Sequence, residues 1–185
     1  MKIAVVSDMH IGEAARGKDL NVDVSVNGVE ENYINKFCQF ARDKNLTADY
    51  LFISGDITHT AAPMEFEIAS NVIKKIAETL GVTENKIVVI PGNHDTNWKM
   101  HEQMVDDNAT ELAIMKGKYQ YLLDESHIFY SIIESAEGSI YKEPYLTYWN
   151  YDDVVVVGYN SSVNDSFNST HHHGDIQIEH VEALE

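Results

Sequence analysis

The chain has 185 residues, enough for one domain with a substantial core, and 44% of them are hydrophobic. Its formal net charge of −17 repels a nucleic-acid backbone, and no run of Lys and Arg offsets that repulsion. A single cysteine, Cys38, excludes an internal disulfide and a thiolate zinc site.

From the N-terminus, residues 2–7 form an apolar run that reads as a buried strand and meets Asp8 and His10 at once. The run is too short for a signal peptide, and no stretch approaches the ~20 apolar residues of a membrane helix. A cytoplasmic protein without a membrane partner is the expectation. Val22, Val24 and Val26 then alternate before Asn27-Gly28, a hairpin signal. Residues 31–45 carry Ile34, Phe37, Cys38 and Ala41 at helical spacing, with Cys38 expected as a small buried hydrophobe.

A second strand is expected at 50–54, running into Gly55-Asp56. A helix follows Pro63, with Ala69, Val72, Ile73, Ile76, Ala77 and Leu80 on one stripe and Gly81 placed to end it. A third strand at 86–90 runs into Gly92-Asn93-His94-Asp95. Residues 96–150 form a long excursion, largely helical in pattern, read as an insertion or lid over the strand ends, or as a helical pair against the sheet edge. A fourth strand is expected at 153–158. Each of the four runs is continuous rather than alternating, which suits strands covered on both faces. Alternation of strand and helix predicts βαβ units, a parallel sheet and an α/β fold in one domain spanning 1–185.

In an open parallel sheet the carboxyl ends lie along one edge, so three exits bearing Asp8 and His10, Asp56, and Asn93 with His94 and Asp95 can converge there. Carboxylate, imidazole and amide oxygen suit hard or borderline divalent cations. Extended geometry would point Asp8 and His10 to the same side. Asp56 has two oxygens with which to bridge two cations. Asp95 can hydrogen-bond the His94 imidazole and fix its orientation. Asp-x-His and Gly-Asp are weak signals singly, whereas Gly-Asn-His-Asp after a buried strand is more specific. The same acids could instead cap a loop or helix, and His94 could be a satisfied buried histidine.

In this order the motifs resemble the calcineurin-like metallophosphoesterase superfamily. The resemblance implies a sandwich of β-sheets flanked by helices, with two divalent cations (Mn, Fe, Zn or similar) at the strand ends. By that pattern Asp8 and His10 would ligate the first metal, Asp56 would bridge both and Asn93 would ligate the second. His94 would act near the leaving group with Asp95 behind it. The stretch from Gly55 to Ile76, followed by 88–95, looks closest to the branch holding bacterial cyclic-nucleotide phosphodiesterases. The implied reaction is hydrolysis of a small, nucleotide-like phosphodiester by a metal-activated water, with the cations about 3.5–4 Å apart.

The family completes its site with further histidines, two of them in a Gly-His-x-His motif that this chain lacks. Val154–Val157, Gly158-Tyr159-Asn160-Ser161 and Gly174-Asp175-Ile176 resemble the segments that flank those histidines. The expectation is therefore an N-terminal part of a longer parent chain, with weak metal retention and low or absent turnover by itself. His171, His172 and His173 read as an exposed loop tract, and His101, His127 and His180 as surface or packing residues. The competing readings are a non-catalytic nucleotide- or partner-binding module on the same fold, and a single-strand nuclease, against which the acidic balance weighs.

Overall fold

The computed structural model describes residues 1–12, 20, 33–137, 145–168, 170, 174–176 and 178–182. Three parallel strands, β1 (Ile3–Val6), β2 (Tyr50–Ser54) and β3 (Ile87–Ile90), form a sheet in the order β1-β2-β3. The register pairs Ile3 with Tyr50 and Leu51 with Ile87, so the three carboxyl ends emerge side by side. Helix α1 (Tyr33–Asp43) connects β1 towards β2, and α2 (Pro63–Leu80) connects β2 towards β3. This is the α/β arrangement that alternating strand and helix patterns predict.

The helices bury the stripes their spacing marks out. Ile34, Cys38 and Ala41 of α1 are buried, and so are Phe66, Ala69, Val72, Ile73, Ile76, Ala77 and Leu80 of α2. Truncating one of the α2 isoleucines to alanine is worth about 2–5 kcal/mol. Pro63 starts α2, where a missing N–H costs nothing, and Gly81 ends it with the Val82 N–H bonded to the Ala77 carbonyl. Phe37 departs from the expected stripe and is exposed. It stands three residues after Ile34 but falls at the rim of the buried face.

Coverage on both faces holds for β2 and β3 but not for β1. Ile3 and Val5 point outward, Val5 being 64% exposed, while Ala4 and Val6 are half-buried. An apolar run specifies a strand, but whether a second layer lies over it depends on tertiary contacts that the run itself does not encode.

The excursion at 96–150 divides among four elements. Helices α3 (Trp98–Asp106) and α4 (Glu111–Lys118) pack on each other. Helix α5 (Ile128–Glu134) buries Ile128, Phe129, Ile132 and Ile133 against β3 and α2, and so belongs to the core. Its last part is not helical: β4 (Leu146–Asn150) pairs antiparallel with β5 (Val155–Tyr159) around a four-residue turn. On β5 the burial expectation fails again, with Val156 buried and Val155 and Val157 exposed. The hairpin is tied down by Trp149 Nε1 to the Ile132 carbonyl (3.0 Å) and by Tyr50 Oη to Asp153 (2.6 Å). A short helix, α6 (Ile178–Glu182), follows.

The hairpin expected at Val22–Asn27-Gly28 and the tract His171–His173 lie outside the described residues. Among the described residues, no helix is long and apolar enough to cross a membrane.

Candidate metal centre

The strand exits stay zipped together after the strands end. Asp8 N–H donates to the Gly55 carbonyl (3.1 Å), His10 N–H to that of Asp56 (2.9 Å) and Ile11 N–H to that of Ile57 (3.0 Å). His59 N–H returns to the Ile11 carbonyl (3.0 Å), and Ile11 and Thr58 form a parallel bridge. The expectation that extended backbone aligns Asp8 and His10 is incorrect. Both residues, and Asp56 opposite them, adopt left-handed backbone, with φ of 56°, 44° and 50°. Each such non-glycine residue costs about 1–3 kcal/mol and persists only where its surroundings fix it, and such strain clusters at functional sites. Here the zipped hydrogen bonds fix it, with Met9 and Ile11 anchored in the core.

Two glycines let the second and third exits touch. Gly55, at φ 92°, lies with its Cα-hydrogen side against Gly92, and a side chain on Gly92 would strike Asp56 Oδ1 and the Asp56 nitrogen. Asp95 then staples the two exits. Its buried carboxylate accepts from the N–H groups of Ile57 (3.2 Å), Thr58 (2.8 Å) and Gly92 (2.9 Å) and from the Thr58 hydroxyl (3.0 Å). Burial pushes the Asp95 carboxyl up to about 6, against the downward pull of these hydrogen bonds. The expectation that Asp95 orients the His94 ring is therefore corrected. The Asn93–Asp95 turn aims this carboxylate back at the loop N–H groups, and His94 Nδ1 bonds the His59 carbonyl instead (2.8 Å).

The geometry brings Asp8, His10 and Asp56 together: one ligand atom from each lies within 4.8 Å of the others. Asp56 Oδ2 is 3.7 Å from His10 Nε2, while Asp56 Oδ1 accepts from His94 N–H (3.2 Å). Asn93 lines the same pocket of about 280 Å³ as Asp8 and Asp56. Two carboxylates and an imidazole side by side, partly exposed and short of protein cations, are a donor set that suits a divalent ion. The residues present therefore fit the metal that the sequence implies.

A second convergence was not among the sequence candidates. His10, His59 and His94 each place a ring nitrogen within 4.8 Å of the others. His59 carries no motif of its own, and its only signal is position, three residues after Asp56 on the same exit loop. That loop is also held from its far side, where Glu65 of α2 accepts from the N–H groups of Thr60 (2.8 Å) and Ala62 (3.2 Å). Trp98, at the start of α3, stands 5.8 Å from the His94 ring, so this end of the excursion adjoins the centre.

Ser161 and Ser162, in the loop after β5, form the pocket wall facing Asp8, Asp56 and Asn93. Buried Lys118 of α4 fixes that loop, its Nζ donating to the carbonyls of Val163 (2.8 Å) and Asp165 (2.7 Å). Asn160 Nδ2 donates to Tyr119 Oη (3.0 Å) from the same loop. Burial pushes the Lys118 amine down to about 8 and the His101 imidazole down to about 4. Neither Lys118 nor Tyr119 is a sequence candidate for this wall, because both contacts join segments more than forty residues apart.

An α/β sheet with a His/Asp metal-binding cluster at its carboxyl edge defines a class of metal-dependent protein. The chain belongs to the calcineurin-like phosphoesterase family, which it matches over residues 1–184. Members are generally phosphoric ester hydrolases and typically bind two metal ions. Comparison with individual curated proteins finds no match.

Proposed function

We propose that the protein hydrolyses a small phosphodiester of nucleotide-like character, with Asp8, His10, Asp56 and Asn93 holding two divalent cations. The observation that carries this reading is the convergence of Asp8, His10 and Asp56 at zipped strand exits, with Asn93 on the same pocket. When bound, the cations supply charge neutralisation at the phosphoryl oxygens and a water of lowered pKa. Asp8 and Asp56 balance the cations' charge and position them, and Asp56 has one oxygen turned to His10 and one to the His94 backbone. His94 is fixed by the bond from Nδ1 to the His59 carbonyl, which leaves Nε2 to meet the departing oxygen and, in the imidazolium form, to give it a proton. Asp95 acts here as a positioning residue, holding the Asp56 and Asn93 exits in register.

The pocket, about 280 Å³ and walled by Ser161 and Ser162, suits a small ester rather than a duplex, and the charge of −17 supports the same choice. The likeness of 55–76 and 88–95 to cyclic-nucleotide phosphodiesterases supports a diester over a monoester. A two-sheet sandwich is the architecture we read for this fold, since Val155 and Val157 present an apolar face that a covering layer would bury. Three protein ligands serve one cation and two the other, with Asp56 shared, so turnover is expected to be slow.

The test is Mn²⁺-dependent hydrolysis of bis-p-nitrophenyl phosphate against p-nitrophenyl phosphate, with Mn²⁺ binding followed in parallel by electron paramagnetic resonance. Asp56→Asn is expected to lower both hydrolysis and Mn²⁺ affinity by at least about 10-fold. Equal Mn²⁺ affinity in wild type and Asp56→Asn would show that the convergence is not a metal site.

A further inference from the structure

We infer that His10, His59 and His94 form a further cation site, distinct from the two-cation centre but sharing His10 with it and selective for Zn²⁺-class ions, whose occupancy shuts the centre off. Three observations converge on it. The three rings cluster, with centroids 4.6 Å apart for His10 and His94, 5.6 Å for the nearly parallel His59 and His94 and 6.1 Å for His10 and His59, and one nitrogen of each lies within 4.8 Å of the others. His94 already has the arrangement of a ligating imidazole, with Nδ1 bonded to a backbone carbonyl and Nε2 left to coordinate. Nδ1 of His59 is buried without a hydrogen-bond partner, an arrangement that leaves a polar atom uncompensated unless the ring is used for something.

The chemistry sets the selectivity. Three neutral imidazoles with no carboxylate favour Zn²⁺, Cu²⁺ or Ni²⁺ over Mg²⁺ or Mn²⁺, and an open fourth position remains for water or an anion. Ligand nitrogens around tetrahedral zinc stand about 3.3 Å apart, so ring nitrogens now within 4.8 Å of one another need rotamer-scale closure only. His10 belongs to both clusters, and its Nε2 faces Asp56 Oδ2 at 3.7 Å. An ion held by His10 and His94 therefore takes one ligand from the carboxylate site and the free nitrogen from His94. Formation of the site stands independently of the phosphoesterase reading; the inhibition rests on it.

The test uses Co²⁺ as a visible-absorbing stand-in for Zn²⁺, titrated into the metal-free chain, together with direct Zn²⁺ calorimetry. Wild type and Asp8→Asn are expected to give the intense visible band of low-coordinate Co²⁺, whereas His59→Gln and His59→Ala lose it and bind Zn²⁺ at least about 10-fold more weakly. An unchanged band in the His59 variants, or a band lost in Asp8→Asn and kept in His59→Gln, overturns the site. Should the His59 variants fail to fold, Zn X-ray absorption on Asp8→Asn decides the matter: three imidazoles support the site and two or fewer refute it. Inhibition is read separately, as the Zn²⁺ concentration that halves Mn²⁺-supported hydrolysis, expected to rise about 10-fold in His59→Gln. A His59-dependent Co²⁺ band in a chain without hydrolysis would leave the site standing and remove the phosphoesterase reading instead.

Discussion

Asp95 shows how a residue recognised for one role performs another. Its carboxylate gathers three backbone N–H groups and a hydroxyl from two exit loops, the Ile57 and Thr58 donors buried and the Gly92 N–H partly so. Removing the acceptor leaves the three N–H groups unpaired, while the Thr58 hydroxyl keeps the His94 carbonyl; at about 1–3 kcal/mol for each unpaired donor, Asp95→Ala is expected to destabilise the protein by about 3 kcal/mol or more. Urea unfolding at fixed Mn²⁺-free conditions checks it, and a loss below about 1 kcal/mol would mean that the exits are held by other contacts. Metal affinity should fall alongside, since the Asp56 and Asn93 exits then part. The sequence marked Asp8, His10, Asp56 and Asn93 because strand-exit position is a local property, visible in a run of apolar residues that ends in a polar one. What it hid was the left-handed backbone at Asp8, His10 and Asp56 and the target of the Asp95 carboxylate. Both depend on hydrogen bonds to a segment 37 or more residues away.

Elements divide along the same line. Helix α2 was legible almost to the residue, since its stripe, its proline start and its glycine stop are all local signals. Helix α5 fits the helical pattern of the excursion, whereas strand β4 does not, because the aromatic run there satisfies either period over so short a length. The contact of α4 with the loop after β5 was not legible at all, and it makes a measurable claim. Lys118 is charged at neutral pH although burial pulls its amine down to about 8 from an ordinary 10.5. Between those values the unfolded chain binds more protons than the folded one, so stability rises with pH across the window, and below pH 8 the whole cost is present. The gain from pH 8 to 10.5 is expected to be on the order of 3 kcal/mol. The neutral amine still has N–H groups for Val163 and Asp165, so the loop stays tied as the charge is lost. Denaturant titrations of wild type and Lys118→Met at pH 7.5, 9 and 10.5 isolate the effect, because other titrating groups cancel in the difference. A difference that is flat with pH would place the charge in solvent rather than in the wall of the pocket.

At the scale of the whole molecule the governing fact is a charge of −17 on 185 residues, with Asp8 and Asp56 brought to one rim. Like charges gathered at a partly exposed edge repel, and general acidity adds a field that a cation relieves. Two kinds of relief can be told apart. Monovalent salt screens exposed charges with a Debye length of about 10 Å at 0.1 M, giving a gradual, non-saturating gain. A cation bound at the rim stabilises by mass action, about 2.7 kcal/mol at 100 times its Kd, and the gain continues only logarithmically. Mn²⁺ at constant ionic strength is therefore expected to raise Tm, and a chelator to reverse it. Asp56→Asn sharpens the distinction. It removes one negative charge from the rim yet keeps an oxygen for the His94 N–H, so the metal-free variant should be at least as stable as metal-free wild type. With Mn²⁺ the order should invert, because the variant loses the ligand placed to bridge. Thermal unfolding of both proteins with and without Mn²⁺ gives the four values needed. A rim that evolved for packing alone would show no inversion; a rim strained to hold a cation must.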